Sequence, residues 1–332
     1  MDKVGILYIC TGRFDVFWEE FHKTCEEYFL PSCEKTYYVF TDSDNIESSE
    51  RVKKIHTDML PFPLPTLLRY HSFLKAKELL DVDYLFFFNA NSVFSDRVTS
   101  DEFLPNGKDE LLAVRHYWQS MVDMNSEGSQ YVRNPESTAY IKMGDGENYL
   151  VGGVMGGRRE AFLRACQVMR DNIDADLKKR IIVKWWDEPH WNRYLLGRND
   201  VRILDDSFCY PEGWVEIHGR KITILRKDKS GGERYLRGGG EHRDGPLSSD
   251  YYYGHSCHVV GDSYYHGSGI FTKDDKKAFD YWLKGAESGD LQCMKNVAWA
   301  YSDGIGCEAN KGKEKFWSAK VSLAMYNKLN EK

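Results

Sequence analysis

The sequence contains no run of 18 apolar residues and no basic segment leading into an apolar one near its start. Neither a membrane-spanning helix nor an export signal is legible in it, so a cytoplasmic protein, or one peripheral at the inner membrane, is expected. The eight cysteines (10, 25, 33, 166, 209, 257, 293, 307) form no C-x-x-C pair and no regular spacing. Free thiols in a reducing compartment follow from that pattern. Neither charge dominates: 45 Lys and Arg stand against 51 Asp and Glu, a net charge of −6, so the global basic field of a nucleic-acid binder is missing. The one dense basic cluster, Arg226-Lys227-Asp228-Lys229, is too short to replace it.

What is present supports a globular chain. Its 332 residues suit about two domains, and 42% hydrophobic content gives a real core. Aromatic residues make up 14%, including 21 Tyr and 9 Trp, which suits either core packing or stacking on sugars and bases.

Strand and helix patterns alternate over residues 1–245, which predicts an α/β domain. Val4–Cys10, Thr36–Thr41, Tyr84–Phe88 and Leu111–Val114 read as strands, and 15–29, 66–80, 158–172 and a segment from Glu188 as helices. Thr66 is the expected cap of the second helix, because Pro61, Pro63 and Pro65 forbid an earlier start. A glycine-rich turn is expected at Val151–Gly157. Residues 229–250, with six glycines, read as a linker. Beyond it, Tyr264, Gly267, Gly269, Lys276 and Phe279 recur 37 residues later as Tyr301, Gly304, Gly306, Lys313 and Phe316. This predicts a small helical repeat region over 246–332. It resembles the Sel-one-like repeats, relatives of the tetratricopeptide fold, and implies binding of a protein partner or self-association.

Four clusters carry the chemical candidates. Cys10-Thr11-Gly12-Arg13-Phe14 follows the first strand; the glycine lets backbone approach a ligand and Phe14 offers a face to a planar base, though an ordinary strand-to-helix turn has the same look. Arg69, early in a helix, suits a phosphate or a carboxylate, or plain solvation. Tyr84–Phe88 is a continuous apolar run, the mark of a strand covered on both faces, and it stops on Asn89 and Asn91 at the sheet edge where α/β proteins bind ligands. Amide oxygens bring no negative charge, so this pair is a poor divalent-cation site. Val151-Gly152-Gly153 puts two glycines in an apolar segment, a bulge or a place where something approaches closely. Asp187-Glu188 precedes Pro189, as helix caps do, and as a carboxylate fixed for sugar chemistry would.

In their order, YICTGRFD, YYVFTD, the Arg69 helix, DYLFFFNANSVF, ESTAYI, YLVGGVMGG and WDEPHWNRYL resemble family 6 glycosyltransferases, the group of the histo-blood-group A and B transferases and α-1,3-galactosyltransferases, over roughly residues 3–240. The resemblance is closest to bacterial members, which have Asn-x-Asn where animal members have Asp-x-Asp. It implies a retaining transferase of GT-A type with a mixed sheet, a UDP-sugar donor, an oligosaccharide acceptor and no divalent metal or other cofactor. It further implies that Cys10–Phe14, Arg69, Asn89, Asn91, Val151, Gly152 and Gly153 bind the donor. Glu188 would be the carboxylate at the anomeric carbon, with Asp187 on the sugar hydroxyls. Arg226, Lys227 and Lys229 would close over the diphosphate, and His116, Trp186 and Trp214 would meet the acceptor. Trp186 and Pro189 stand where the family has His and Ser, which alters the acceptor side. The Val-Gly-Gly triplet implies an N-acetylgalactosamine donor; galactose is the alternative, and a decayed transferase serving as a repeat-based adaptor the rival class.

Overall fold

The computed structural model describes residues 1–126, 129–214, 219–238 and 249–330. Part of the expected linker, residues 239–248, and with it the expected domain boundary, lies outside the described residues. The chain divides into two compact units. The first comprises Met1–Leu60, Pro65–Ala175 and Trp185–Arg243; the second comprises Pro61–Leu64, Asp176–Lys184 and Asp244–Lys332.

The first unit is built on strands β1 (Lys3–Ile9), β2 (Glu34–Thr41), β3 (Val52–His56), β4 (Tyr84–Phe88), β5 (Ser92–Phe94), β6 (Leu111–Arg115), β7 (Leu150–Arg158), β8 (Val201–Leu204), β9 (Tyr210–Pro211) and β10 (Ile222–Ile224). Seven of them form one mixed sheet in the order β3-β2-β1-β4-β7-β6-β8, and β5-β10-β9 form a small second sheet. The apolar run of β4 is buried along its whole length, as a central strand covered on both faces must be. Phe21 and Cys25 of the helix Trp18–Tyr28 join Phe29, Phe86, Phe88, Phe94 and Phe103 in the core on one face.

Direction decides where the site forms. β1 and β4 run parallel, so both release their chain at the same edge, at Cys10 and Asn89. β7 runs antiparallel to β4, so its beginning lies at that edge, and the Asn89 N–H donates to the Gly153 carbonyl at 2.9 Å. The residues Val151–Gly157 are therefore strand, not the expected turn. Glycine is used here for close approach: a Cβ on Gly156 would overlap the Leu85 carbonyl oxygen.

Other boundaries moved too. The expected helix 66–80 is three short pieces, Leu64–Leu67, Arg69–Lys75 and Lys77–Leu79, and Thr66 lies inside the first instead of capping it. The break at Leu68 leaves Arg69 and Tyr70 both buried on the sheet side. A 3-10 turn, Gly12–Phe17, precedes the first long helix, and the helix expected over 158–172 spans Arg159–Lys178. Between β6 and β7 a long excursion, residues 116–149, has a cluster of its own: Met124, Tyr131, Ile141 and Tyr149, with Trp118 and Leu196 packed against them.

The second unit contains the helices Ser249–His266, Asp275–Glu287, Leu291–Asp303 and Lys311–Asn330. Gly267 and Gly269 adopt left-handed φ of +68° and +65°, and Gly304 and Gly306 adopt +75° and +63°, so the two helix ends share one turn geometry. The Asp274 N–H donates to the Tyr264 carbonyl, and the Asn310 N–H to the Tyr301 carbonyl. Past that turn the correspondence slips by one residue. Lys277, not Lys276, matches Lys313, since each ammonium sits 5.1 Å from its tyrosine ring, Tyr264 or Tyr301. The exposed Phe316 likewise does not match the buried Phe279, because the second loop is one residue shorter.

Candidate active site

The centre of the site is a pair of carboxylates at the start of the helix Glu188–Leu195. Two consecutive left-handed residues, Trp185 (φ +68°) and Trp186 (φ +55°), turn the chain into that helix. Such conformations cost about 1–2 kcal/mol each in non-glycine residues, and they are retained where surrounding structure demands them. Asp187 stands at the N-cap but makes no side-chain capping bond. Its carboxylate, only 2% exposed, instead lies 3.1 Å from Arg69 Nε and accepts a hydrogen bond from the Tyr70 hydroxyl at 3.2 Å.

Arg69 is itself 7% exposed and is held on three sides. Besides Asp187, its Nη1 donates to the Gly152 carbonyl at 2.9 Å, and the guanidinium lies 4.3 Å over the Phe87 ring. Gly152 then serves both partners: its N–H donates to Glu188 Oε2 at 2.6 Å. A side chain there would crowd the carboxylate, because a Cβ would stand 3.1 Å from Glu188 Cβ and Glu188 would have to give by a few tenths of an ångström. Gly153, on the other face, would put a Cβ 2.8 Å from Asn89 Nδ2. The close approach foreseen for the glycine pair is thus supplied by Glu188 on one side and Asn89 on the other.

Burial raises both carboxyl pKa values. Asp187 is pushed up to about 6 against the pull of Arg69, and Glu188 to about 7 against the Gly152 N–H and the neighbouring Tyr149. Glu188 nonetheless keeps some exposed surface. A carboxyl that is recessed, poorly solvated and still reachable suits attack on, or charge stabilisation of, an electrophilic carbon.

Three contributors went unread in the sequence. Asn192 sits one turn after Glu188, where its amide accepts from Leu150 N–H and donates to the Leu150 and Glu188 carbonyls, acting as a side-chain strand partner that ties the helix to β7. Tyr149 is buried with its hydroxyl beside Glu188 and, among the described residues, without a geometrically good hydrogen bond. Tyr70 serves Asp187. Spacing hinted at Asn192, four residues after Glu188, and adjacency to Arg69 at Tyr70.

The donor residues expected at the sheet edge come together only in part. Cys10 is fully buried; its carbonyl accepts from the Thr41 hydroxyl, and burial pushes its thiol up to about 12. Thr11 is buried and Val151 lies in the core, so each offers backbone. Gly12, at φ +68°, donates its N–H to Asp42 at 2.8 Å. Arg13 bonds the Tyr235 carbonyl and covers the Tyr235 ring at 4.2 Å. Asn89 is half-buried beside Gly153. Asn91 is committed elsewhere: its amide donates to the Leu225 carbonyl at 2.6 Å, anchoring the chain just before Arg226.

The basic segment is not an unpaired cluster. Arg226 pairs with Asp228 at 2.5 Å, Lys229 with Glu212 at 2.5 Å, and Lys227 with Glu233 at 3.0 Å; Arg237 also pairs with Glu233. The two cations hold the Glu233 carboxyl down to about 2. They also face Phe14, Lys227 at 5.7 Å and Arg237 at 5.9 Å from its ring. The segment therefore lies against the loop after β1, charge-balanced by its own acids.

On the expected acceptor side, His116 packs among Tyr117, Trp118 and Tyr149, and burial lowers its pKa to about 3, so its ring is neutral. Trp214, 46% exposed, stands edge-on to Tyr117 at 4.7 Å. Trp186 contacts Trp185.

These positions coincide with a known family. Residues 67–230 match the model of Glycosyltransferase family 6. The O-antigen biosynthesis glycosyltransferase WbnI of Escherichia coli is 34% identical over 229 residues, which span 68% of this chain and 95% of that protein. The human globoside alpha-1,3-N-acetylgalactosaminyltransferase 1 is 23% identical over 244 residues, 68% of this chain and 67% of its own length. The rat histo-blood group ABO system transferase 1 is 24% identical over 229 residues, 64% and 63% respectively. The chain thus spans about three-fifths of the rat relative, but nearly all of the bacterial one. With its carboxylate pair, buried arginine and glycine strand all inside the shared segment, the chain belongs to glycosyltransferase family 6.

Proposed function

We propose that this protein transfers N-acetylgalactosamine from UDP-N-acetylgalactosamine, with retention of configuration, in α-1,3 linkage to a galactose-containing glycan, fucosylated or plain, without a divalent metal. The observation that carries the reading is Glu188: a recessed carboxyl of raised pKa, fixed by the Gly152 N–H and flanked by the Arg69–Asp187 pair. As the bond from the anomeric carbon to the diphosphate oxygen breaks, the ionised Glu188 meets the positive carbon, as nucleophile or as counter-charge. The acceptor hydroxyl then attacks the anomeric carbon, displacing Glu188 where that bond had formed and passing its proton to the departing diphosphate, so the sugar stays on the original face.

UDP departs with growing negative charge, which metal-assisted enzymes meet with a cation. Here Lys227 and Arg237, which face Phe14, a ring suited to uracil, would exchange the Glu233 carboxylate for the diphosphate. The names of the relatives support the N-acetylgalactosamine choice, since the human globoside enzyme is named for that sugar. The ordered Glu188 and Asp187 speak against a decayed transferase.

The test is UDP release and product-linkage analysis over a panel of UDP-sugars and galactosides, in excess EDTA and with added manganese. Transfer from UDP-N-acetylgalactosamine undiminished by chelator is the expected result. Activity lost in EDTA and restored by manganese would overturn metal independence, and equal use of UDP-galactose would overturn the donor.

A further inference from the structure

The last described helix, Lys311–Asn330, has two apolar faces, where a helix on the surface of a globular unit has one. One face carries the buried Trp317 with the half-buried Val321 and Ala324, and packs on the helix Leu291–Asp303. The other carries Phe316, Ala319, Leu323 and Tyr326, spaced i, i+3, i+7 and i+10, which is a straight stripe along the helix. This second stripe is open to solvent: Phe316 is 54% exposed, Leu323 60% and Tyr326 65%.

The flanks of the stripe are cationic. Lys313 and Lys320 edge it on one side and Lys315 on the other, all exposed. Lys320 lays its ammonium 5.0 Å from both the Phe316 and the Trp317 rings, so its stem runs along the apolar surface while its head stays in water. Residues 311–327 contain four lysines and one acid, Glu314, within a chain of net charge −6.

We infer that this face docks on an anionic phospholipid surface, with Phe316, Leu323 and Tyr326 entering the headgroup boundary and the three lysines meeting lipid phosphates. Charge complementarity selects this occupant over a second copy of the chain. Pairing two such stripes would bring lysine rows together, whereas an anionic bilayer satisfies both the apolar row and the charge. The inference stands on a separate unit from the transferase site and does not depend on which sugar is transferred.

The experiment is flotation of the full chain with sealed vesicles of phosphatidylcholine alone or with phosphatidylglycerol, at low and high salt, with light scattering of the lipid-free protein alongside. The expected result is binding to the phosphatidylglycerol vesicles, weakened roughly tenfold or more by salt or by Lys313→Gln/Lys315→Gln/Lys320→Gln. Phe316→Glu/Leu323→Glu should abolish it while transfer to a water-soluble acceptor is kept; because Lys313 also lies over Tyr301 and Phe316 against Trp317, circular dichroism of each variant separates a binding loss from unfolding. No flotation, or flotation indifferent to both variants, overturns the inference. So does a lipid-free dimer that Phe316→Glu/Leu323→Glu converts to monomer, which would assign the stripe to a second copy.

Discussion

Replacing Glu188 with Gln separates a reactive carboxyl from a structural one, because the two cases move stability in opposite directions. The folded protein holds the Glu188 carboxyl at about 7 against an ordinary 4.5, so folding favours its neutral form. The sign follows from that: the stability this group contributes is fully present below about pH 4.5 and is lost as the pH rises through about 7. Each tenfold change in proton affinity is worth about 1.4 kcal/mol, so the ionised carboxylate costs up to about 3 kcal/mol above pH 7. Glu188 keeps some solvent contact, and glutamine accepts a weaker hydrogen bond from Gly152, so a net gain of about 1–2 kcal/mol is expected for Glu188→Gln at pH 8. For a unit of this size that is a rise of roughly 2–8 °C in Tm. At pH 5 the two proteins should unfold almost together. Turnover should fall by several orders of magnitude in the variant at pH 8, and by less at pH 5, where the unmutated carboxyl is itself largely protonated, while UDP binding persists at both. Urea or thermal unfolding at both pH values, beside UDP titration and a transfer assay, reads all of this. A variant that turns over normally, or one destabilised equally at pH 5 and pH 8, refutes the assignment.

Gly153→Ala places a methyl 2.8 Å from Asn89 Nδ2 and should rotate that amide away, raising the donor KM several-fold and shifting preference toward UDP-galactose; an unchanged donor ratio contradicts this. Asn192→Ala removes the two hydrogen bonds that join the helix Glu188–Leu195 to β7 and a third to the Glu188 carbonyl within that helix, and should cost about 2–4 kcal/mol, measured by urea unfolding; a loss below 1 kcal/mol would show that water replaces the amide. Glu233→Gln releases Lys227 and Arg237 from their internal carboxylate and should tighten UDP binding about three- to tenfold by calorimetry. Weaker binding in that variant would mean that Glu233 organises the segment instead of competing with the diphosphate.

Most of the sheet edge was legible because its signals are local. A continuous apolar run such as Tyr84–Phe88 has few other homes, and Pro189 marks the helix start that holds Asp187 and Glu188. Less legible were the roles set by distant partners. Asn192 bonds a strand 42 positions earlier, and Arg69 bonds a carbonyl 83 positions later, relations that no local pattern encodes. The glycines of β7 were misread for a physical reason: glycine marks turns and close packing alike, and only the neighbour, Glu188 or Leu85, tells which. The basic run 226–229 looked available because two of its three acids, Glu212 and Glu233, lie outside it. In the helical unit, one residue fewer in the second loop moved the correspondence from Phe316 to its neighbour.

The excursion between β6 and β7 has its own small core of Met124, Tyr131, Ile141 and Tyr149, and it leaves and rejoins the sheet through adjacent strands. Such a segment can vary without disturbing the strand pairing of the main sheet, provided that its contacts to Leu196, Trp185 and Asn172 are kept. Residues 116–149 begin with His116 and Trp118 and end with Tyr149, the ring beside Glu188. Exchanging the segment would therefore replace the aromatic wall of His116 and Trp118 together with the phenol that faces Glu188, while the paired strands that carry Asn89 and Gly153 stay as they are.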